Sequence, residues 1–397
     1  MTHETLALLG GPPAFPDGLR LLRPTLPPVE SVQAGLGVAF ASGALTKGPA
    51  LREYEERLAE HLGVRHALAV SSCTAGLMLV YQRLAERPNG GEAIMPSFTF
   101  MATAIAAAWA GLEPVFCDVD PETWCLHPER VEAAITDRTA VIVPVHVFGA
   151  PVDTIAFARL SEKTGVPVVY DAAHGFGAQV NGRPVGREGL ASCFSTSPTK
   201  LLITGEGGVV ATDDDALAER VVVGREYGNP GTFDPLFCGL NARLPEAGAL
   251  MGLAGLGVLE REAARRGALA DVYRNILAFI PGLEFQHVRP GTRSSFKDLT
   301  LRIRPEAGLS PDHVAEALRA EGIDTRRYYV PPVHRQTAFA HLRERFEPQL
   351  PETVALCDQV LTLPCYGGMS EEAAARVGRC GRRALARAAD VRAALGG

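Results

Sequence analysis

The stretch Ser195-Thr196-Ser197-Pro198-Thr199-Lys200 sets a hydroxyl five positions ahead of an amine, and the apolar run Val166-Pro167-Val168-Val169-Tyr170 leads into the carboxylate of Asp171. Thr204-Gly205-Glu206-Gly207-Gly208 follows shortly after. A lysine amine forms a Schiff base with an aldehyde when its charged form is disfavoured or its neutral form is trapped by reaction. Lys200 is the candidate for that role. A carboxylate facing a pyridine nitrogen keeps the nitrogen protonated while negative charge arrives in the ring, and Asp171 is the candidate. An opposite charge nearby shifts a pKa by roughly 1–3 units, each worth about 1.4 kcal/mol, so one aspartate can decide the protonation state at neutral pH. Hydroxyl, amine and carboxylate together are the minimal set for holding and using pyridoxal 5'-phosphate.

That cofactor also needs a phosphate cradle and a ring face. A helix N-terminus offers unpaired N–H groups and the positive end of a dipole. Ser71-Ser72-Cys73-Thr74-Ala75-Gly76-Leu77 reads as a strand passing into a helix, so Ser72, Cys73 and Thr74 are the candidates, with plain N-capping as their ordinary role. Ser195 adds a second hydroxyl. Phe100, in Ser97-Phe98-Thr99-Phe100, falls where a strand hands over to a helix and is the candidate for stacking on the ring. Phe98 is the alternative, and core packing is the default role of either phenylalanine.

The elements that must position these groups alternate. Short apolar runs at 66–70, 92–95, 114–118, 141–145, 166–170 and 208–212 read as strands, with helical periods at 74–84, 101–109, 152–163 and 214–224 between them. Strands apolar on both faces and separated by helices imply an α/β body with a mostly parallel central sheet. Residues 228–240 lack periodicity and read as a long loop, followed by one long helix over 244–266. Residues 297–303 read as a strand, and Ser310 and Ser370 as caps of two further helices, the second running to the C-terminus. This places an N-terminal arm and large cofactor-binding domain in residues 1–267 and a small α+β domain in 268–397, the arm joining the smaller lobe.

A chain of 397 residues with 47% hydrophobic and 21% charged residues is globular rather than disordered, and a formal net charge of -6 gives no general attraction to nucleic acid or anionic membrane. The cysteines at 73, 117, 125, 193, 238, 357, 365 and 380 form no C-x-x-C pair and no cluster with histidine, which argues against a metal site and a disulfide framework. Buried free thiols suit a reducing cytoplasm. Glu4 and only a brief apolar patch before Gly10-Gly11-Pro12 show no secretory signal. Residues 93–112 carry no charge over a membrane-span length, yet Pro96, Ser97, Thr99 and Thr103 among the alanines indicate a buried loop and helix instead.

In order along the chain, Leu45-Thr46-Lys47-Gly48-Pro49, Ser71 to Leu77, Pro96 to Thr103, Gly111 to Asp120, Pro144-Val145-His146-Val147-Phe148-Gly149, Asp171-Ala172-Ala173-His174, Phe194 to Lys200, Thr204 to Gly208, Gly239-Leu240-Asn241-Ala242-Arg243 and Pro332-Val333-His334 give a combined pattern. It resembles the DegT/DnrJ/EryC1/StrS aminotransferases, sugar aminotransferases of the fold-type I pyridoxal-phosphate enzymes. The resemblance implies that His174 lies near the cofactor's ring hydroxyl. It implies that Asn241 reaches the cofactor phosphate from the partner subunit of a homodimer. Lysine at 200, where some relatives carry histidine and dehydrate instead, implies amino transfer. The substrate implied is a nucleotide-linked keto-sugar, a dTDP-4-keto-6-deoxyhexose, with glutamate as donor. An inosose or other non-nucleotide ketone and a cofactor-binding regulatory protein without turnover are the competing readings. Lys47, Arg225, Tyr329 and His334 fall in segments that the family places around the sugar nucleotide. Two residues depart from the pattern: Cys73 stands where glycine is common, and Ala242 where an aromatic is frequent.

Overall fold

The computed structural model describes residues 5–86 and 91–396. Helices α1 (Glu30–Ser42) and α2 (Pro49–Leu62) precede β1 (His66–Val70), α3 (Cys73–Leu84), β2 (Gly91–Pro96), α4 (Ala102–Trp109) and β3 (Leu112–Cys117). Then come α5 (Pro128–Ala134), β4 (Thr139–Ile142), α6 (Thr154–Thr164), β5 (Val169–Asp171), β6 (Ala191–Ser195), β7 (Gly208–Thr212) and α7 (Asp215–Gly224). A four-stranded sheet β1-β7-β6-β5 and a three-stranded sheet β3-β2-β4 lie side by side. Parallel bridges from Ile142 to Val168 and from Val145 to Asp171 join them. Every neighbouring pair is parallel except those made by β7, which runs against both β1 and β6. Strands β2, β4, β6 and β7 are buried along their whole length, as expected of runs that are apolar on both faces.

The reversal of β7 gathers the site. Parallel strands send their carboxyl ends to one edge of a sheet, where α/β proteins bind ligands. Because β7 points the other way, its first residue joins that edge: Gly208 pairs with both Val70 and Ser195. The ends of β1, β5 and β6 and the start of β7 therefore meet in one row.

The single helix expected over 244–266 is two helices, α8 (Glu246–Leu256) and α9 (Leu259–Leu277), broken at Gly257 and Val258. Glycine lets α8 pack closely, since a Cβ on Gly252 would sit 2.5 Å from the Tyr54 ring, and glycine at 257 removes helix propensity where the chain bends. Glu246, the first residue of α8, is buried, and its carboxylate accepts from the N–H groups of Gly48, Ala50 and Leu51. Helix α2 has no side-chain cap of its own, so this distant carboxylate serves as its cap and meets its dipole.

Beyond α9, β8 (Leu283–Phe285), β9 (Leu299–Ile303) and β10 (Val360–Leu363) form an antiparallel sheet covered by α10 (Pro311–Ala320) and α11 (Glu371–Ala386). Ser310 and Ser370 cap those two helices through Oγ, as read from the sequence. The C-terminal helix does not run unbroken: it stops at Arg387 and α12 (Ala388–Leu395) follows. Leu6 from the N-terminal arm is buried in this second core with Leu269, Leu301 and Leu363, whereas Tyr329, Val333, Phe339 and Phe346 pack into the core of the large sheet. Residues 93–112 are β2, the start of β3 and the helix between them, and no described helix is long and apolar enough to cross a membrane.

Candidate active site

Ser72 ends the extended stretch after β1 and caps α3, its Oγ accepting from Ala75 N at 3.0 Å. The capping role is thus real, and the cap itself uses neither the Ser72 proton nor the first N–H groups of the helix, those of Cys73 and Thr74. Cys73 offers only its backbone at this turn. Its thiol is buried and donates to the Cys193 carbonyl at 3.3 Å, pointing into the core beneath the turn, and burial pushes its pKa up. A cysteine is accommodated here because the side chain leaves the cradle altogether. The close approach falls instead to Gly208, where a Cβ would lie 2.4 Å from Cys73 N and from the Ser72 carbonyl carbon. Gly208→Ala therefore displaces the turn. Overpacking costs about 1–3 kcal/mol, so cofactor affinity should fall by roughly 10–100-fold in a fluorescence titration of the apo-protein, and wild-type affinity would show that the turn bears no phosphate.

Asp171, the last residue of β5, is buried, with Oδ2 accepting from Thr103 Oγ1 at 2.6 Å and Oδ1 from Ala173 N at 3.1 Å. Burial pushes its pKa up; the two hydrogen bonds and the Lys200 charge pull against that rise. Lys200 sits in the turn after β6, its N–H bonded to the Ser197 carbonyl at 3.0 Å. Burial, together with the nearby Lys297 charge, lowers the Lys200 amine to about 8, while Asp298, Cys73 and Asp171 oppose the shift. Ser195 is buried at the end of β6, and its Oγ accepts from Ser197 N at 3.4 Å. His174 is half-buried, and its Nδ1 is a buried atom without a partner among the described residues. Desolvation holds that ring neutral, well below the ordinary histidine range, with Lys200 and Lys297 adding to the shift.

Phe98 and Phe100 separate cleanly. Phe98 is fully buried, edge-on to Phe148 at 5.8 Å and to Tyr329 at 5.5 Å, whereas Phe100 is 54% exposed at the head of α4. Of the two, only Phe100 presents a free ring. Asn241 is exposed on a strap held to the turn before α3 by the bond from Ser71 N to Ala242 O at 2.8 Å. The buried methyl of Ala242 fills the place beside it where the family often carries an aromatic.

Two of the groups expected around a sugar nucleotide are already committed to partners within the chain. Arg225 forms an ion pair with Glu55 and donates to the Ala69 carbonyl at 2.7 Å, which ties α7 to β1 and α2. The buried His334 ring lies 2.7 Å from Ser97 Oγ through Nδ1 and 3.1 Å from Glu347 through Nε2. Tyr329 is buried between Phe98 and Phe148. Lys47 alone of the four is exposed, 3.4 Å from Glu226. Two further groups bear on the site for which the sequence suggested no role there. Thr103 is a buried threonine in an alanine-rich helix, a signal that it has a polar partner. Lys297 and Asp298 form a buried pair at 2.7 Å, which adjacent opposite charges leading into a strand could have suggested.

A buried carboxylate, an amine lowered toward neutrality, a helix start open to an anion, an exposed ring and an unpaired imidazole nitrogen together fit pyridoxal phosphate. A sequence profile of the DegT/DnrJ/EryC1/StrS aminotransferase family matches residues 30–380. The chain belongs to that family. It is accordingly a pyridoxal-phosphate-dependent aminotransferase of fold-type I. The chain is 34% identical over 357 residues to a UDP-N-acetyl-3-dehydro-alpha-D-glucosamine 3-aminotransferase of Acidithiobacillus ferrooxidans, covering 90% of this chain and 94% of that one. It is 34% identical over 353 residues to a dTDP-3-amino-3,4,6-trideoxy-alpha-D-glucose transaminase of Streptomyces venezuelae, covering 88% and 91%. The solved structure of DesI with its TDP-sugar product superposes with a TM-score of 0.89 at 36% identity, covering 98% of both chains.

Proposed function

We propose that this aminotransferase converts a nucleotide-linked keto-sugar, a dTDP-4-keto-6-deoxyhexose, to the amino-sugar with glutamate as donor. The observation that carries the reading is the likeness to DesI over 98% of both chains, a protein whose structure holds a TDP-sugar product. The cofactor supplies an aldehyde to take the donor's nitrogen and a ring to hold the negative charge released at the donor's α-carbon. The rest belongs to the chain. Lys200, its amine lowered to about 8, takes the proton from the α-carbon as base and returns one as acid on the way to the sugar. Asp171 holds the ring nitrogen protonated. Ser72, Thr74, Ser195 and the N–H groups of Cys73 and Thr74 bind the phosphate, Phe100 covers one ring face, and His174 meets the ring hydroxyl through its unpaired Nδ1.

The site is shared between two copies of the chain, with Asn241 of each reaching the other's phosphate. Support comes from the exposure of Asn241 and from apolar side chains left at the surface, among them Phe40, Phe233 and Leu236. Residues 1–267 make up the arm and cofactor-binding body and 268–397 the smaller lobe, with the segment from Tyr329 to Phe346 of the second packed into the core of the first and Leu6 of the arm into the core of the second. The protein works in the cytoplasm on a soluble nucleotide sugar.

The test separates donor from acceptor. Glutamate alone should bleach the cofactor's visible band in a single turnover, and the dTDP-4-keto-6-deoxyhexose should restore it and yield an amino-sugar by mass spectrometry. A UDP-linked 3-keto-sugar is the competing acceptor, favoured by the A. ferrooxidans relative. Restoration by that sugar, or only by a free cyclitol ketone, overturns the substrate assignment. A band that glutamate leaves unchanged overturns the donor.

A further inference from the structure

We propose that Thr103 is the positioning residue for Asp171, its hydroxyl turning between the Asp171 carboxylate and the Phe100 carbonyl so that the carboxylate keeps its place in either protonation state. The proposal deepens the function above, since it rests on Asp171 as the partner of the ring nitrogen.

The geometry is a hydroxyl with one proton and three oxygens in reach. Thr103 Oγ1 lies 2.6 Å from Asp171 Oδ2, 3.1 Å from Thr99 Oγ1 and 3.2 Å from the Phe100 carbonyl. Thr99, Thr103 and Asp171 are all buried, so bulk water does not compete for these bonds. When Asp171 is ionised, the Thr103 proton goes to Oδ2, which is both the charged acceptor and the nearest one. Thr99 then donates to Thr103, and the two bonds polarise one another. When Asp171 is protonated, its own O–H donates to Thr103, and the Thr103 proton swings to the Phe100 carbonyl. No buried group is left unpaired in either state, which is the condition for both to be accessible. The same hydroxyl therefore ties the carboxylate at the end of β5 to the backbone of the exposed ring at the head of α4.

The neighbours leave this role to Thr103. Burial raises the pKa of Cys73 and Tyr81 from α3, Cys193 from β6 and Tyr329 from the segment after α10, and the Asp171 charge adds to each shift, so they stay neutral. Lys200 is the nearby cation that favours the ionised form, and the Ala173 N–H holds the other oxygen.

The test reads the carboxyl itself. Apo-protein carrying carboxyl-labelled aspartate is titrated by NMR, with the Asp171 signal assigned by its loss in Asp171→Asn. Thr103→Val should move the Asp171 titration upward by about one pH unit, whereas Thr103→Ser should titrate with wild type. A Thr103→Val titration that coincides with wild type overturns the proposal. If that variant does not fold, Thr99→Val reads the relay from its far end: an upward shift supports it and an unmoved titration overturns it. In the cofactor-loaded protein, Thr103→Val should also shift the nitrogen-15 signal of a labelled cofactor ring toward the unprotonated form. Failure of the Asp171–ring assignment would appear there alone, as a ring signal indifferent to Asp171→Asn, with the apo titrations unaffected.

Discussion

Lys200→Ala abolishes the glutamate half-reaction, slowing it by at least about 10⁴-fold, and leaves no adduct that borohydride can fix to the protein. The loss is large because the same amine holds the cofactor covalently and moves the proton. It is specific because the fold does not depend on the side chain: the turn at 197–200 closes through backbone, from Lys200 N to Ser197 O. Stopped-flow absorbance after mixing with glutamate measures the rate, and a borohydride-reducible adduct persisting in the variant would sink the assignment. The wild-type apo-protein offers a companion measurement. With its pKa lowered to about 8, Lys200 is mostly neutral between pH 8 and 10.4, where an exposed lysine is still charged, so its acylation should rise through about pH 8. The folded chain holds this proton less tightly than the unfolded chain, so the group's unfavourable contribution is greatest below pH 8 and is relieved as pH rises through that window.

Asp171→Asn lowers the half-reaction by about 10²–10³-fold while leaving the apo-protein folded. The amide keeps an acceptor for Thr103 but presents no negative charge, so the ring nitrogen is no longer held protonated. Two effects on folding oppose one another. The bond from Ala173 N is lost to the amide's NH₂, which costs about 1 kcal/mol, and the burial that pushes the carboxyl's pKa up is relieved. Thermal melts should therefore differ by only a few degrees. A variant that loses activity and tens of degrees together would mean that Asp171 serves the fold and not the ring.

How much of this was legible differs by kind of feature. Most strand positions were: runs such as 66–70 and 208–212 are apolar on both faces and fell on β1 and β7 residue for residue, whereas β6 (Ala191–Ser195) is not among the runs read as strands and β5 is only the end of the run at 166–170. The direction of β7 was not, because periodicity carries no sign, and it is the reversal that brings Gly208 to the site edge. The ordered motifs showed the family, and they carried the candidate lysine and aspartate with it. They do not show the pairings of Arg225 with Glu55 and of His334 with Ser97 and Glu347, which join separate segments of the chain. They include Thr103 but do not show its partner, since a threonine between alanines has no visible acceptor until β5 is laid beside α4. Local chemistry reads directly from the chain; pairings across it do not.

The capping of α2 by Glu246 bears on the order in which the chain can assemble. The start of α2, which carries Lys47-Gly48-Pro49, gains its acceptor from a residue 198 positions away in the case of Gly48. Closing a loop of that length costs about 5 kcal/mol in chain entropy before any contact forms. The α2 terminus is thus a late event, completed after the sheet between the two segments has shortened the path. An emerging nascent chain would hold α2 frayed until residue 246 has been made and docked, so this corner of the protein registers that the whole cofactor-binding body is complete.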